Sequence, residues 1–428
     1  MYNPPLSPDQ RFVGAWDFRR DLIRARIEQV NADVVCLQEI SPKSFEQDFA
    51  FMREDLGYDG VELFKKGRFR PATFWRTSAV ELACPPVHKD RTLLTTFRHI
   101  EEGSDGRNWH VLNCHLQAGK QGGRRVRQLH EGLGFAVKTA RKLGEDDPTS
   151  PLLIVCGDFN GGGECGAVRY LEDGSIDEDF REDGEPVTSK VKSVPLSAPM
   201  KDAMDQPSLH REPPSTLVVQ ELISLMVEPG SENTPNLSVD VLGRLDRIYD
   251  RYATHETETI GSESRVMGLS DVKRWLTDIN LQVGRGSEFR RACIEMGWVE
   301  PPSAESVPDD DKDSPNTKLS AGQNGHNINQ QKPRMTLPEG AILTKDGFRN
   351  VYQAELRGGK FWGIANDLAI MGEALSEVGV FQARYDRMYC SSAVEPYAVL
   401  DFLCDVPCPN ANEPSDHLPL GATFVAQS

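Results

Sequence analysis

Long apolar runs are what this chain has least of. Its longest purely aliphatic stretch is Leu152-Leu153-Ile154-Val155, far short of the roughly 20 apolar residues a membrane-crossing helix needs. The opening Met1-Tyr2-Asn3-Pro4-Pro5 has neither the basic nor the apolar region of a secretory signal, so none is expected. Residues 401–428 contain no Lys or Arg. No basic tail offsets the net charge of −17, which excludes a general nucleic-acid coating protein. An acidic total does not exclude phosphate chemistry at one site, because a divalent cation can supply positive charge there. Nothing pairs with Cys404 and Cys408 at zinc-finger spacing, and the nine cysteines are an odd, scattered set. Reduced thiols in a cytoplasmic or nuclear protein are the expectation, with no membrane partner.

What is present is globular. Charged residues make up 26% and hydrophobic residues 38%, which excludes collagen, coiled coil and wholesale disorder. A chain of 428 residues allows two to four domains, or one large domain with insertions. Residues 1–205 alternate helical and strand patterns. Asp17–Gln29 and Arg124–Lys142 read as amphipathic helices. Val34–Leu37, Ala72–Trp75, Trp109–Cys114 and Leu152–Cys156 read as short buried strands. Residues 206–384 are mostly helical. Stripes at Leu242/Leu245/Ile248/Tyr249/Tyr252, Val272/Trp275/Leu276/Ile279 and Phe348/Val351/Tyr352/Leu356 have helical spacing and predict core-facing sides. Residues 301–336, with Asp309-Asp310-Asp311 and an Asn/Gln/Gly-rich stretch, predict a disordered loop. Strand patterns return over 385–428, at Ala398–Cys404 and Leu418–Val425. A helical block therefore interrupts one α/β domain.

Four stretches share one logic, an apolar strand followed by a carboxylate, amide or imidazole. They are Val34-Val35-Cys36-Leu37-Gln38-Glu39, Leu112-Asn113-Cys114-His115, Ile154-Val155-Cys156-Gly157-Asp158-Phe159-Asn160 and Pro414-Ser415-Asp416-His417-Leu418. Each alone is weak. Hydrolysis of a phosphate ester needs an activated water, neutralised equatorial oxygens and a stabilised leaving oxygen, and these residue types can supply all three. Glu39 is a hard oxygen ligand suited to Mg²⁺, which keeps several waters and takes few protein ligands. Asp158 is the candidate general base or a second metal ligand. Asn160 can orient the water or donate to a phosphoryl oxygen. His417 and His115 are candidate phosphate contacts, and Asp416 a metal ligand or imidazole partner.

The set in this order resembles the endonuclease/exonuclease/phosphatase superfamily over roughly 1–205 and 385–428. Gly157-Asp158-Phe159-Asn160 followed by Ala167-Val168-Arg169-Tyr170-Leu171, with Pro71-Ala72-Thr73-Phe74-Trp75-Arg76, is most similar to its deadenylase/nocturnin/Angel branch. The resemblance implies an α/β (α+β) four-layer sandwich of two packed sheets flanked by helices. It implies Mg²⁺, or Mn²⁺ in its place, and an RNA or nucleotide substrate. Leu400-Asp401-Phe402-Leu403 matches the family strand before the S-D-H motif, so Asp401 is expected to hydrogen-bond the His417 imidazole and raise its basicity. The family also uses an Asn at the end of its first strand. Asn3 fits that place, but with Met1-Tyr2 alone before it the strand is truncated, and Asn3 is either catalytic or a surface residue. Arg127, with Arg124 and Arg125, is a candidate substrate contact or a solvated helix face.

Leu245–Ala253, a polar loop and Met267–Ile279 resemble an EF-hand, with Leu343-Thr344-Lys345-Asp346-Gly347-Phe348 opening a paired helix. Counting back from Asp271, Ile260, Ser262 and Ser264 replace the first three carboxylates and Arg265 the central Gly. Calcium binding is not expected in this register, since ligand charge sets affinity. An alternative register would use Glu256, Glu258 or Glu263. Two other functions compete with an RNA phosphodiesterase. One is a small-molecule phosphatase or phosphodiesterase of inositol-phosphate or sphingomyelin type, and the other is a catalytically dead binding module.

Overall fold

The computed structural model describes residues 15–63, 70–103, 106–162, 164–182, 184–187, 191, 193–205, 214–231, 234–260, 263–280, 283, 288–298, 337–375, 379–402 and 404–427, without the side chains of 257–260 and 263–264. Asn3, the expected truncated strand and the 301–336 loop lie outside these residues. Two compact units form. One combines Asp9–Glu221 with Val378–Ser428, and the other centres on Leu222–Glu377. The second unit is narrower than the expected 206–384 block. The strands Leu217–Glu221 and Gly379–Ala383 pair antiparallel and belong to the first unit.

In the first unit a three-stranded sheet contains β1 (Val34–Ile40), β2 (Tyr58–Glu62) and β3 (Arg70–Arg76), with β3 central. A six-stranded sheet contains β4 (Val80–Lys89), β5 (Thr92–His99), β6 (Trp109–His115), β7 (Leu152–Asp158) and the strands Asp386–Cys390 and Lys201–Asp202. β6 and β7 are parallel, and the other neighbours are antiparallel. Trp75 and Cys36 from the small sheet meet Phe97, Val111 and Cys156 from the large one, forming the inner core. Helices cover both outer faces. α1 (Trp16–Val30), α2 (Phe45–Asp48) and α3 (Ala50–Glu54) pack Ile27, Phe45, Phe49 and Met52 on Tyr58, Ala72 and Phe74. α4 (Gly122–Lys142) and α5 (Gly166–Glu172) pack Leu129, Leu133, Ala136 and Val168 on Leu94, Leu112, Val155 and Tyr389. Fully burying each Leu or Val of this kind contributes about 1.5–3 kcal/mol. The result is the four-layer sandwich.

Two close approaches fix how the sheets end. Asn113, fully buried on β6, donates to the Ala72 carbonyl at 2.8 Å and accepts from Gln38 Nε2 at 2.9 Å, so one amide ties the large sheet to both neighbours in the small one. Gly157 has φ 126°, and a Cβ there would stand 2.0 Å from the Cys114 carbonyl oxygen. Only glycine lets β7 lie this close to β6.

The second unit is built on an aromatic hub. Phe348 from the helix Lys345–Arg357 meets Trp275 of the helix Leu269–Asn280 at 4.9 Å and Tyr249 of the helix Val239–Tyr252 at 5.7 Å. All three predicted stripes thus converge. Between the helices Val239–Tyr252 and Leu269–Asn280 the chain forms a hairpin, His255–Ile260 with Glu263–Gly268. Met267 and Gly268 then pair with Leu343 and Ile342. The Asp271 carboxylate is occupied by protein donors. It accepts from Thr254 Oγ1 at 2.8 Å and from the Gly268 N–H at 3.1 Å, and it pairs with His255 Nδ1 at 2.9 Å.

Two predictions follow from these contacts. Gly157→Ala puts a methyl against a backbone oxygen that cannot move aside, and should lower the unfolding free energy by more than about 3 kcal/mol in a denaturant titration. In the second unit, burial and then the nearby Glu288 push the Asp367 carboxyl up to about 8. Its folded pKa exceeds its unfolded one, so the folded state is penalised as pH rises from about 4 and the penalty is complete above 8. Asp367→Asn should leave the melting temperature near that of the parent at pH 4 and raise it progressively toward pH 8.

Candidate active site

The site lies at one end of the large sheet, where three strands finish in step. The parallel register sets His115 of β6 beside Asp158 of β7. The antiparallel register sets Asp158 opposite Asp386, the first residue of its strand. Directly opposed residues project from the same face. His115 Nε2 stands 3.6 Å from Asp158 Oδ2 and 4.0 Å from Glu39 Oε1.

Glu39 sits in a break in regular pairing. The β1–β3 register shifts between Leu37 and Ile40, and Glu39 takes φ 59°. A bulge of this kind re-aims a side chain at a strand end, and the Gln38–Asn113 bond pins it. Asn160 likewise takes φ 49°. Its backbone N–H donates to Asp158 Oδ1 at 2.7 Å and its side-chain amide donates to the Leu116 carbonyl at 3.0 Å. The amide holds the loop and also sits beside the carboxylate.

His417 arrives on a separate segment. Val218 N–H donates to the Asp416 carbonyl at 3.3 Å and Leu418 N–H to the Thr216 carbonyl at 2.6 Å, so Ser415–Leu418 is stitched onto the strand Leu217–Glu221. Thr216 is fully buried, and its hydroxyl oxygen also accepts from the backbone N–H of Tyr385 and of Asp386. One residue therefore sets the position of both His417 and Asp386.

Their side chains meet. His417 Nδ1 is 2.6 Å from Asp386 Oδ2. The expected partner, Asp401, does not take this place. The strand before it ends at Val399, its register already broken between Pro396 and Ala398, and Asp401 is exposed in the loop that follows. The sequence held a signal for the real partner. Asp386 opens Asp386-Arg387-Met388-Tyr389-Cys390, a strand at the point where strand patterns return. Two other residues gave no such signal. Thr216 is one hydroxyl in a Pro/Ser/Thr stretch. Arg19 is one of five Arg between 11 and 26, yet its Nε donates to the Pro414 carbonyl at 2.6 Å and its charge faces Asp416 and Glu39.

Electrostatics follow from this crowding. Burial, then the neighbouring Asp386, push the Asp158 carboxyl up to about 7. Burial also raises Asp416. Burial opposes charge on His417, but Asp386, Asp158 and Asp416 together override it and hold its pKa well above the usual imidazole value. Glu39, Asp158, Asp386 and Asp416 face the His417 and Arg19 cations. The balance is negative where an anionic substrate would have to dock, and the donors are hard carboxylate oxygens. That donor set fits a divalent cation. No group of three or more His, Cys, Asp or Glu among the described residues is arranged as a cage, whereas Mg²⁺ is usually held by one or two carboxylates and water. Arg127 is exposed on α4, lining a cavity of about 300 Å³ with Lys120, Arg124 and the hairpin residues Glu182 and Glu185.

A model of the Endonuclease/Exonuclease/phosphatase family matches residues 12–417. The chain belongs to this family. Its members are phosphoric ester hydrolases that generally use divalent metal ions. The chain is 25% identical over 221 residues to the CCR4-Not complex 3′-5′-exoribonuclease subunit Ccr4 of Schizosaccharomyces pombe, covering 39% of this chain and 32% of that protein. It is 26% identical over 224 residues to mouse 2′,5′-phosphodiesterase 12, covering 45% and 36%. Among solved structures, ANGEL2, a 2′,3′-cyclic phosphatase, in complex with adenosine-2′,3′-vanadate is similar at TM-score 0.46 and 16% identity, covering 97% of this chain and 88% of that one. The chain spans about a third of the length of the curated relatives it matches. The sequence similarities, which include Protein angel homolog 2 of Danio rerio at 27% identity over 192 residues, lie in the deadenylase/nocturnin/Angel branch to which the motifs point.

The reassigned carboxylate can be tested directly. Asp386→Asn keeps a hydrogen bond to His417 but removes the charge that supports the imidazolium. Phosphodiester turnover should fall about 10–100-fold, while Asp401→Asn stays near the parent rate. Equal losses in both variants would restore Asp401 to the site.

Proposed function

We propose that this protein is a divalent-metal-dependent phosphodiesterase that hydrolyses RNA from its 3′ end in the manner of a 3′-5′ exoribonuclease or deadenylase. The observation that carries this reading is the row His115–Asp158–Asp386 at one sheet end, with His417 locked onto Asp386. Glu39, with Asp416 beside it, would hold Mg²⁺ or Mn²⁺, and the bound cation would neutralise phosphoryl charge and position water. The chain's own groups supply the rest. Asp386 keeps His417 protonated, so the imidazolium can donate from Nε2 to a phosphoryl oxygen as negative charge grows there. Asp158, with its proton affinity raised toward neutrality, is matched to removing a proton from the attacking water at physiological pH. Asn160 holds the Asp158 carboxylate through its backbone N–H, and His115 Nε2 faces the same space. Lys120, Arg124 and Arg127 are suited to the substrate's phosphate backbone. We further propose that Asn3 serves the site, that the helical unit is an EF-hand-like module without calcium, and that the protein works in the reducing cytoplasm or nucleus. Asp271's full set of protein donors and the pairing of Met267 with Leu343 support the module reading.

The activities for which the relatives are named differ in the linkage cut, so the assay has to separate linkages. Purified protein with Mg²⁺ should shorten a 3′-5′ oligo(A) from its 3′ end faster than a 2′,5′-linked oligoadenylate, an RNA ending in a 2′,3′-cyclic phosphate or an inositol phosphate. Preference for any of the latter three overturns the substrate assignment and leaves the hydrolase reading in place. Glu39→Gln, isosteric but without the charge, should lower turnover by at least about 100-fold at limiting Mg²⁺ with the melting curve unchanged. A folded variant that cleaves at the parent rate overturns the metal assignment.

A further inference from the structure

Cys404 and Cys408 take no part in the site chemistry, yet their Sγ atoms are 3.7 Å apart. Cys404 is half-exposed and Cys408 is 1% exposed. Both sulfurs lie against the Val406 carbonyl, at 3.3 and 3.5 Å, and Asn410 Nδ2 donates to Cys408 Sγ at 3.6 Å. The loop is anchored on the Cys408 side. Cys408 N–H donates to the Val218 carbonyl at 2.7 Å, and its side chain packs with Val218 and Leu418.

We propose that Cys404 and Cys408 form a peroxide-oxidisable dithiol, a reversible modification site in which Cys404 is the attacking thiol and Cys408 the resolving one. The roles follow from access. A hydroperoxide can reach Cys404 but not Cys408, whose thiol is also kept protonated by burial and by its sulfur neighbour. The Cys404 thiolate attacks one oxygen of hydrogen peroxide, the O–O bond breaks, hydroxide leaves and Cys404 becomes a sulfenic acid. The Cys408 sulfur then attacks the Cys404 sulfur. The S–O bond breaks, the S–S bond forms, and the departing hydroxide takes the Cys408 proton as water. Two thiols and one peroxide give one disulfide and two waters. The sulfurs need only close from 3.7 Å to about 2.05 Å, and the Cys404 side of the loop can move while Cys408 stays hydrogen-bonded to Val218. Oxidation would tie down the segment that leads into Ser415–His417. Of the other seven cysteines, only Cys36 and Cys84 are even half-exposed. Cys36 shares a hydrogen bond with the buried Cys156 thiol and is the competing pair.

The test is graded hydrogen peroxide on the intact, metal-free protein, followed by non-reducing peptide mapping and thiol counting. A Cys404–Cys408 linkage should appear first, with loss of two titratable thiols and recovery of both on adding a dithiol reductant. Cys404→Ser should abolish that loss at the same peroxide dose, with an unchanged circular dichroism spectrum confirming its fold. Cys408→Ala should send Cys404 on to sulfinic acid, because the resolving sulfur is gone. A first linkage between Cys36 and Cys156, or sulfinic acid on Cys404 in the parent without the linkage, would overturn the assignment. None of these readouts depends on the substrate or on hydrolysis.

Discussion

Two carboxylates on paired strands, Asp158 and Asp386, emerge side by side into a largely buried space. Like charges this close cannot both ionise without compensation. The chain resolves the conflict with His417, brought from a different segment to 2.6 Å from Asp386. Much of the first unit's irregular architecture serves that meeting. The strand Leu217–Glu221 carries Thr216, which accepts from the N–H of Asp386 and from that of Leu418. It also pairs with Gly379–Ala383, just before Asp386. The outcome is asymmetric. Asp386 is spoken for by an imidazolium, and Asp158 is left with a raised proton affinity and room to act.

The regular parts of this arrangement were legible. Buried strands announce themselves as short apolar runs and helices as 3.6-residue stripes. Val34–Leu37, Trp109–Cys114 and Leu152–Cys156 therefore lie within observed strands, and Glu39, His115 and Asp158 sit at their ends. The expectation that Asp401 would partner His417 shows the limit. Asp401 and Asp386 both neighbour an apolar strand, and local pattern cannot say which strand stays in the sheet. Pairing with β7 decides that, and pairing is a long-range property set by Thr216 and Gly157 rather than by the residues around either acid. The boundary of the helical unit was misplaced for the same reason. Leu217–Glu221 and Gly379–Ala383 look like parts of the interruption until they are seen to pair with each other.

The helical unit shows how one carboxylate can hold the junction between a hairpin and a helix. The chain between the helices Val239–Tyr252 and Leu269–Asn280 extends into a hairpin, and Asp271, at the start of the second, turns its oxygens to Thr254, His255 and Gly268. Hydrogen bonds to a carboxylate are worth more than neutral ones, and these three hold the junction. The packing does the remainder, since Phe348 touches both stripes at once. The stripes were legible as helical spacing. The hairpin was not, because β pairing within Glu/Thr/Ser-rich residues depends on the helices that bracket it.

Glu39 and Asn160 share one more property, a left-handed backbone in a residue with a side chain. Such conformations cost about 1–3 kcal/mol each and persist only where surrounding structure over-determines them. Here that structure is specific. Asn113 and Gln38 clamp the bulge at Glu39, and the Leu116 carbonyl with Asp158 clamps Asn160. The first clamp is anchored in β6, a central strand that is buried from His110 to His115, and the second rests on Asp158 of β7 and on Leu116, the residue after β6. Relieving either strain would improve local stability and swing a carboxylate or an amide away from the sheet end. The rigid core therefore does more than hold the fold. It keeps two unfavourable backbone turns in place so that Glu39 faces His115 and the Asn160 N–H holds Asp158, and a looser inner core would lose the site before it lost the sandwich.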